Sequence, residues 1–476
     1  MATVLSFPLF AIPENKEIHT VMTASKLGAL RRATKTILLL LLLSLMAAAQ
    51  DIATQADDYI KGKAKNNQFS GAVLIAKGGK VLLSKGYGMA NYELDVANTP
   101  QTKFRLGSIT KQFTALAIMQ LQEKGLLSVD DPVTKYFPDY KIAEKVTIHH
   151  LLTHTSGIHN FTNDAEYQQT MTLNSPAEKT IARFKEKPLD FAPGEKWYYS
   201  NSGYILLGAI IEKVSGKSYE TYLKENIFQP LNMVNTGYDH SEVIIKNRAA
   251  GYQMGRNGMA NASYLDMSIP YSAGALYSTV EDLYLWDRAL YTEKLAKRAT
   301  LEKIFTPFKN NYGYGWAIED KNGHKRISHN GGINGFSTQI NRYVNDDACV
   351  IVLSNLVPGQ VGKITDDLGA IALGEKPEEA KARTEIKVNP NVYDSYVGQY
   401  ELAPGLVITI TKEEGHLFGQ ATGQGQGKFE LFPETEKDYF LKVVDAQITF
   451  IKNDKGEVTQ LVLHQGGGEM LGKRIK

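Results

Sequence analysis

Between residues 397 and 475 the sequence breaks into eight short alternating runs at about ten-residue spacing, and no other feature of the chain limits its fold so strongly. The runs cover 397–402, 407–411, 416–421, 428–432, 438–443, 447–452, 458–464 and 469–475. A period of two between apolar and polar residues marks strands with one buried face, and the Gly, Asn, Asp and Pro residues between them supply turns. Eight such strands with no helix among them are expected to close into a small antiparallel up-and-down β-barrel. Gly423-Gln424-Gly425-Gln426-Gly427 then reads as a hairpin tip, since no helix follows that would make it a phosphate loop.

Just ahead of this region, residues 376–387 are rich in Lys, Glu and Ala and hold no aromatic residue, as a solvated linker would. At 476 residues the chain is too long for one core. The expected division is 1–49, 50–375, a linker at 376–389, and the barrel at 390–476. Net charge is +2, from 53 basic and 51 acidic residues, so neither composition nor charge points to nucleic acid as partner. Cys349 stands alone in the apolar run 348–353 and reads as a buried strand thiol, not a nucleophile.

The first 49 residues read as a targeting segment. Arg31, Arg32 and Lys35 precede the apolar block 37–46, and Ala47-Ala48-Ala49 offers a small-residue cleavage site. The block is short for a membrane span. Export with cleavage near Ala49 is expected, to the periplasm or the exterior; an uncleaved segment is the alternative route to a membrane. The long basic region suggests a start at Met22.

The larger domain opens with an expected helix over 51–61 and a hairpin, 71–76 and 80–85, turning through Gly78-Gly79. Helices are expected over 204–214 and 280–290, the second opened by Thr279 and Asp282 as a capping pair. Strands return at 314–318, 326–329, 335–343 and 348–353, followed by a helix over 364–373. Strands at both ends of a helical middle give an α/β (α+β) class: an antiparallel sheet flanked by helices, with an all-helical insert.

Three short elements in this domain carry chemistry. Ser108-Ile109-Thr110-Lys111 puts a hydroxyl and an amine one helical turn apart at the start of an apolar-periodic run ending near Gly125. A serine needs a neighbouring base to act as nucleophile, and lysine serves if burial or charge lowers its pKa, a change costing roughly 4 kcal/mol. Tyr199 and Asn201, two apart before an apolar helix, can point a phenol and an amide into one cleft. His329-Asn330-Gly331-Gly332 lies between two expected strands, where glycines allow close approach of a ligand and a backbone N–H can face an oxyanion.

Ser-x-x-Lys, Tyr-x-Asn and His-x-Gly in this order resemble the serine β-lactamase and penicillin-binding superfamily, above all its class C branch with D-alanyl-D-alanine carboxypeptidases, D-aminopeptidases and esterases. The phrases Leu151-Leu152-Thr153-His154-Thr155-Ser156-Gly157-Ile158, Tyr199 to Tyr204 and Gly274 to Thr279 are similar to that branch as well. The resemblance spans about 52–375, and the tail resembles the lipocalin-like barrel appended to some of these hydrolases. It implies an acyl-enzyme on Ser108, with Lys111 and Tyr199 as base machinery in either order. Asn201 would hold a substrate amide carbonyl, and His329 would add polarity near the leaving side. The N–H groups of Ser108 and Gly332 would form the oxyanion hole, next to Gly331. Asn330 stands where a threonine is usual, which weakens the expected grip on a substrate carboxylate and lowers the expectation of an efficient β-lactamase.

Small or D-amino-acid-containing peptides are the expected substrates, ahead of esters and β-lactams, with the barrel narrowing the cleft. No cofactor is implied, and an oligomer is compatible with the sequence. A rival of another class is a non-catalytic sensor of peptidoglycan or peptides. A zinc site built from His149, His150, His154 and His159 is disfavoured, because the segment lacks the glutamate of an H-E-x-x-H pattern.

Overall fold

The computed structural model describes residues 49–476 except 256–257, 378–382, 404–405, 422–427, 443–445 and 466–467. The targeting segment, the tip at 423–427 and part of the linker therefore lie outside the described residues. The first described element, α1 (49–65), runs on past Gly62, where the sequence suggested an end. Strands β1 (Gly71–Lys77) and β2 (Lys80–Tyr87) follow as a hairpin.

The main sheet is completed from the far end of the domain. Strands β3 (Ala317–Lys321), β4 (His324–Ile333), β5 (Phe336–Tyr343) and β6 (Ala348–Ser354) join it in the order β3-β4-β5-β6-β1-β2, with every pairing antiparallel. The sheet is buried on both faces, which explains its continuous apolar runs. In β1, Ala72, Leu74 and Ala76 join the larger core, whereas Val73 and Ile75 pack with Ala56 and Ile60 of α1 and with Ile364 and Leu368. The last two lie on a helix over Val361–Leu373.

On the other face sits α2 (Thr110–Glu123), buried from Thr110 to Leu121. It is buried on nearly all sides because other helices surround it, among them α3 (Asn201–Ser215) and α4 (Val280–Ala289). Phe113 stacks on Trp286 with ring centroids 4.3 Å apart, and the Trp286 indole N–H donates to Gln112 Oε1 at 2.9 Å. Gly216 ends α3 in the left-handed conformation, and Thr279 caps α4 by accepting from the Asp282 N–H. The insert is not purely helical: short strands at Gly237–Tyr238, Tyr252–Gly255, Gly258–Asn261 and Leu276–Ser278 interrupt it.

The tail forms a closed barrel of eight antiparallel strands: β7 (Gly398–Ala403), β8 (Leu406–Glu413), β9 (His416–Ala421), β10 (Phe429–Pro433), β11 (Asp438–Phe440), β12 (Ala446–Lys452), β13 (Val458–Gln465) and β14 (Gly468–Arg474). Closure comes from β7 pairing with β14, Tyr400 opposite Arg474. Tyr396, Tyr400, Tyr439 and Phe450 fill its interior, with Tyr396 stacked on Phe450 at 4.1 Å.

One buried ion pair ties the helical layer to the sheet. Arg342 of β5 donates from Nε to Asp287 Oδ1 of α4 at 2.7 Å, and both side chains are almost wholly buried. Its guanidinium also lies near the rings of Tyr291, Phe305 and Trp316. Replacing Asp287 by Ala leaves a buried cation without its counter-ion, and urea unfolding is expected to show a loss of about 3–5 kcal/mol. A loss under about 1 kcal/mol would mean that water reaches Arg342.

Candidate active site

Ser108 lies in a tight turn, Gly107–Ile109, that leads directly into α2. Two glycines let that turn press against β4. Gly107 has φ +56°, and a Cβ there would stand 2.9 Å from the Gly332 nitrogen; a Cβ on Gly331 would stand 2.0 Å from the Leu106 carbonyl oxygen. The Leu106 carbonyl also accepts from Thr338 Oγ1 at 2.7 Å, opposite Gly331 in the β4–β5 register.

Lys111 is fully buried, and its Nζ has three oxygen neighbours: Ser108 Oγ at 3.0 Å, Asn201 Oδ1 at 2.9 Å and the Ala273 carbonyl at 2.8 Å. It also lies 4.9 Å from the centre of the Tyr199 ring and 5.4 Å from that of Tyr204. Burial holds the amine well below the ordinary lysine range. Tyr199 O–H donates to Ser108 Oγ at 2.8 Å, and burial pushes the phenol above its usual pKa although that hydrogen bond works the other way. The serine oxygen thus sits between a buried amine and a phenol that keeps its proton.

Asn201 is the first residue of α3. Its Oδ1 accepts from Lys111, and its Nδ2 donates to Thr162 Oγ1 at 3.3 Å. Alternation along β4 buries His329 and Gly331 and exposes Asn330 and Gly332. The His329 ring is turned inward: Nδ1 lies 2.6 Å from the Asn330 carbonyl and so carries the hydrogen, and Nε2 accepts from Tyr312 O–H at 2.8 Å. Burial and the nearby Lys111 push His329 down to about 4. It is a neutral bracing group, and Asn330 is the side chain that the strand presents outward.

The structure adds groups that sequence spacing did not show. The Ala273 carbonyl belongs to the turn Tyr271–Gly274, entered at φ +37° by Tyr271, an unusual conformation for an aromatic residue. His154, also at positive φ (+58°), sets its ring 4.2 Å from that of Tyr199 at an interplanar angle of 34° and accepts at Nδ1 from the Ser200 N–H. Tyr312 begins the phrase Tyr312-Gly313-Tyr314-Gly315-Trp316, whose dense aromatics were the available signal.

The crowded histidines go to separate tasks. His149 meets Tyr314 Oη at 2.8 Å, His150 accepts from the Thr147 N–H, and His159 lies between Asp164 and Asp190. Among the described residues no group of three or more His, Cys, Asp or Glu is placed to hold a metal ion.

A family model described as Beta-lactamase matches residues 56–374, and one described as a domain of unknown function (DUF3471) matches 382–473. The chain is 30% identical over 446 residues to a penicillin-binding protein of Bacillus subtilis (strain 168), covering 87% of this chain and 96% of that one. Among solved structures, the octameric penicillin-binding protein homologue from Pyrococcus abyssi aligns with a TM-score of 0.64 at 30% identity, over 88% of this chain and 99% of that one. A D-stereospecific amidohydrolase from Streptomyces sp. aligns at 26% identity with a TM-score of 0.55, over 65% of this chain and 94% of that one. The serine, the buried amine and the phenol thus stand in a chain that belongs to the beta-lactamase family of serine hydrolases.

Proposed function

We propose that this hydrolase cleaves amide or ester bonds of small or D-amino-acid-containing peptides through an acyl-enzyme on Ser108. The observation that carries the reading is Ser108 Oγ held at 3.0 Å from Lys111 Nζ and 2.8 Å from Tyr199 Oη. Similarity to a D-stereospecific amidohydrolase favours the D-peptide class.

The proton inventory supports one division of the roles. A neutral amine has two hydrogens and one lone pair. Two hydrogens directed at Asn201 Oδ1 and the Ala273 carbonyl leave the lone pair for the Ser108 hydroxyl, so Lys111 is the base for acylation. As Oγ attacks the carbonyl carbon, its proton passes to Lys111. The resulting ammonium gains from both carbonyl oxygens and from the rings of Tyr199 and Tyr204. The N–H groups of Ser108 and Gly332 face the developing oxyanion. Tyr199, protonated at rest, delivers its proton to the leaving nitrogen or oxygen as the tetrahedral intermediate collapses, and Lys111 replaces it. Water then attacks the acyl carbonyl by the reverse proton route and frees Ser108. Asn330 offers an amide, not a charge, to the far side of the substrate.

Ser108→Ala is expected to lower turnover of D-amino-acid amides and nitrophenyl esters by at least about a thousandfold and to remove the acyl adduct from the intact mass. A variant with a tenth of the parent rate would move the nucleophile elsewhere. Lys111 works as a base only when neutral, so kcat/KM is expected to be present above its lowered pKa and lost as pH falls through it. A pH–rate profile should place this acid limb well below the ordinary lysine value of about 10.4. A limb at that ordinary value would assign the base to another group.

The proposal includes export, supported by Arg31, Arg32, Lys35 and the apolar block before Ala47-Ala48-Ala49. Expression in a bacterial host is expected to yield a periplasmic or secreted chain beginning near Gln50. A full-length chain retained in the cytoplasm would refute it.

A further inference from the structure

One ring of the histidine-rich segment has no part in the chemistry above, yet it has the most demanding surroundings. His159 Nδ1 lies 3.1 Å from Asp190 Oδ1 and its Nε2 lies 3.0 Å from Asp164 Oδ1, while Lys187 Nζ donates to Asp164 Oδ2 at 2.7 Å. A neutral imidazole has a single N–H and can serve one carboxylate only, so satisfying both requires the imidazolium.

The residues around that ring grip the start of α3. The His159 carbonyl accepts from Ser202 Oγ at 2.7 Å, and Ser202 Oγ accepts from the Phe161 N–H at 3.1 Å. Asn160 Oδ1 accepts from the Asn201 N–H at 3.0 Å, and Thr162 Oγ1 accepts from Asn201 Nδ2. Asn163 Nδ2 donates to Tyr198 Oη at 3.1 Å, beside Tyr199. Residues 159–163 therefore all touch the stretch that holds Tyr199 and Asn201 in place, and the carboxylates on either side of His159 anchor them.

We propose that His159 is a positioning residue: bridging Asp164 and Asp190, it clamps residues 159–164 across the start of α3 and sets where Asn201 presents its amide to the substrate carbonyl. This rests on the hydrolytic reading of Ser108. The facing charged and titratable groups are Asp164 on its own segment, Lys187 and Asp190 on the stretch after the helix Ala177–Lys185, and Tyr198 ahead of α3. The hydrogen bond with Asp190 and then that with Asp164 raise the ring above the ordinary histidine pKa, against its burial. A raised pKa keeps the clamp closed to higher pH than a free imidazole would, and the clamp opens as pH rises past that value.

The test uses the full chain with a chromogenic D-amino-acid anilide. His159→Gln cannot bridge both carboxylates as a cation; it is expected to raise KM about tenfold with kcat changed less than about threefold, and to remove the alkaline limb that the clamp imposes on kcat/KM. His159→Arg keeps a permanent charge with two donors, so it should restore KM and show no limb. Asp190→Asn should move the limb to lower pH. Parent-like KM and an unmoved limb in both His159→Gln and Asp190→Asn would overturn the clamp. Should His159→Gln fail to fold by thermal melting, the Asp190→Asn limb decides alone.

Two readouts separate this from the reaction itself. Labelling of Ser108 by a fluorophosphonate reports on the hydrolase reading. NMR titration of the histidine-labelled parent, with the His159 signal assigned from the His159→Arg spectrum, reports on the clamp without turnover; an ordinary histidine midpoint would overturn it.

Discussion

The structure depends on a lysine amine kept out of water. Lys111 has no exposed surface, and an ammonium there would pay a large desolvation cost were its surroundings apolar. Two carbonyl oxygens and two aromatic faces soften that cost without cancelling it, so burial still holds the amine well below the ordinary lysine range, as the proposed role of base requires. These partners come from two distant places in the chain: Asn201 opens α3 and Tyr204 sits one turn further along it, whereas Ala273 lies in a strained turn. Much of the helical layer can be understood as the means of bringing these groups to one nitrogen.

The sheet supplies the opposite wall. The turn bearing Ser108 approaches β4 closely enough that Gly107 and Gly331 leave no room for a Cβ, and this contact brings the Ser108 and Gly332 main chains together. Strand alternation then decides which side chains of the third motif face outward. His329 faces the interior and braces Tyr312, and Asn330 faces out. The buried pair Arg342–Asp287 keeps the helical layer seated on that same sheet.

Several elements were legible because their cause is local. The barrel strands follow from period-two alternation, the ends of α2 and α3 from Gly125 and Gly216, and the start of α4 from the Thr279 cap. Where tertiary packing outweighed local signals, the expectation slipped. Helix α1 passes through Gly62 because its apolar face is held by the sheet. Strand β3 begins at Ala317 and not at residue 314, since Tyr314 and Trp316 are spent on core contacts around Gly315 at φ +77°. The pairing of His329 with Tyr312 was hidden because nothing in a motif states which way a strand residue faces.

The sequence by itself determined the reagents: a serine with a lysine three residues on, a tyrosine and asparagine two apart, and a glycine-bearing strand end, together with a tail able only to form a small barrel. Spacing within a helix or strand is enough for these, because period and reach are properties of the backbone. Tertiary structure alone decided the state of those reagents. Whether a lysine is neutral, a phenol protonated or a histidine a brace depends on burial and on partners such as the Ala273 carbonyl, 162 residues from Lys111. Electrostatic environment is set by what folds around a group, and a distant main-chain oxygen leaves no mark in the sequence beside it.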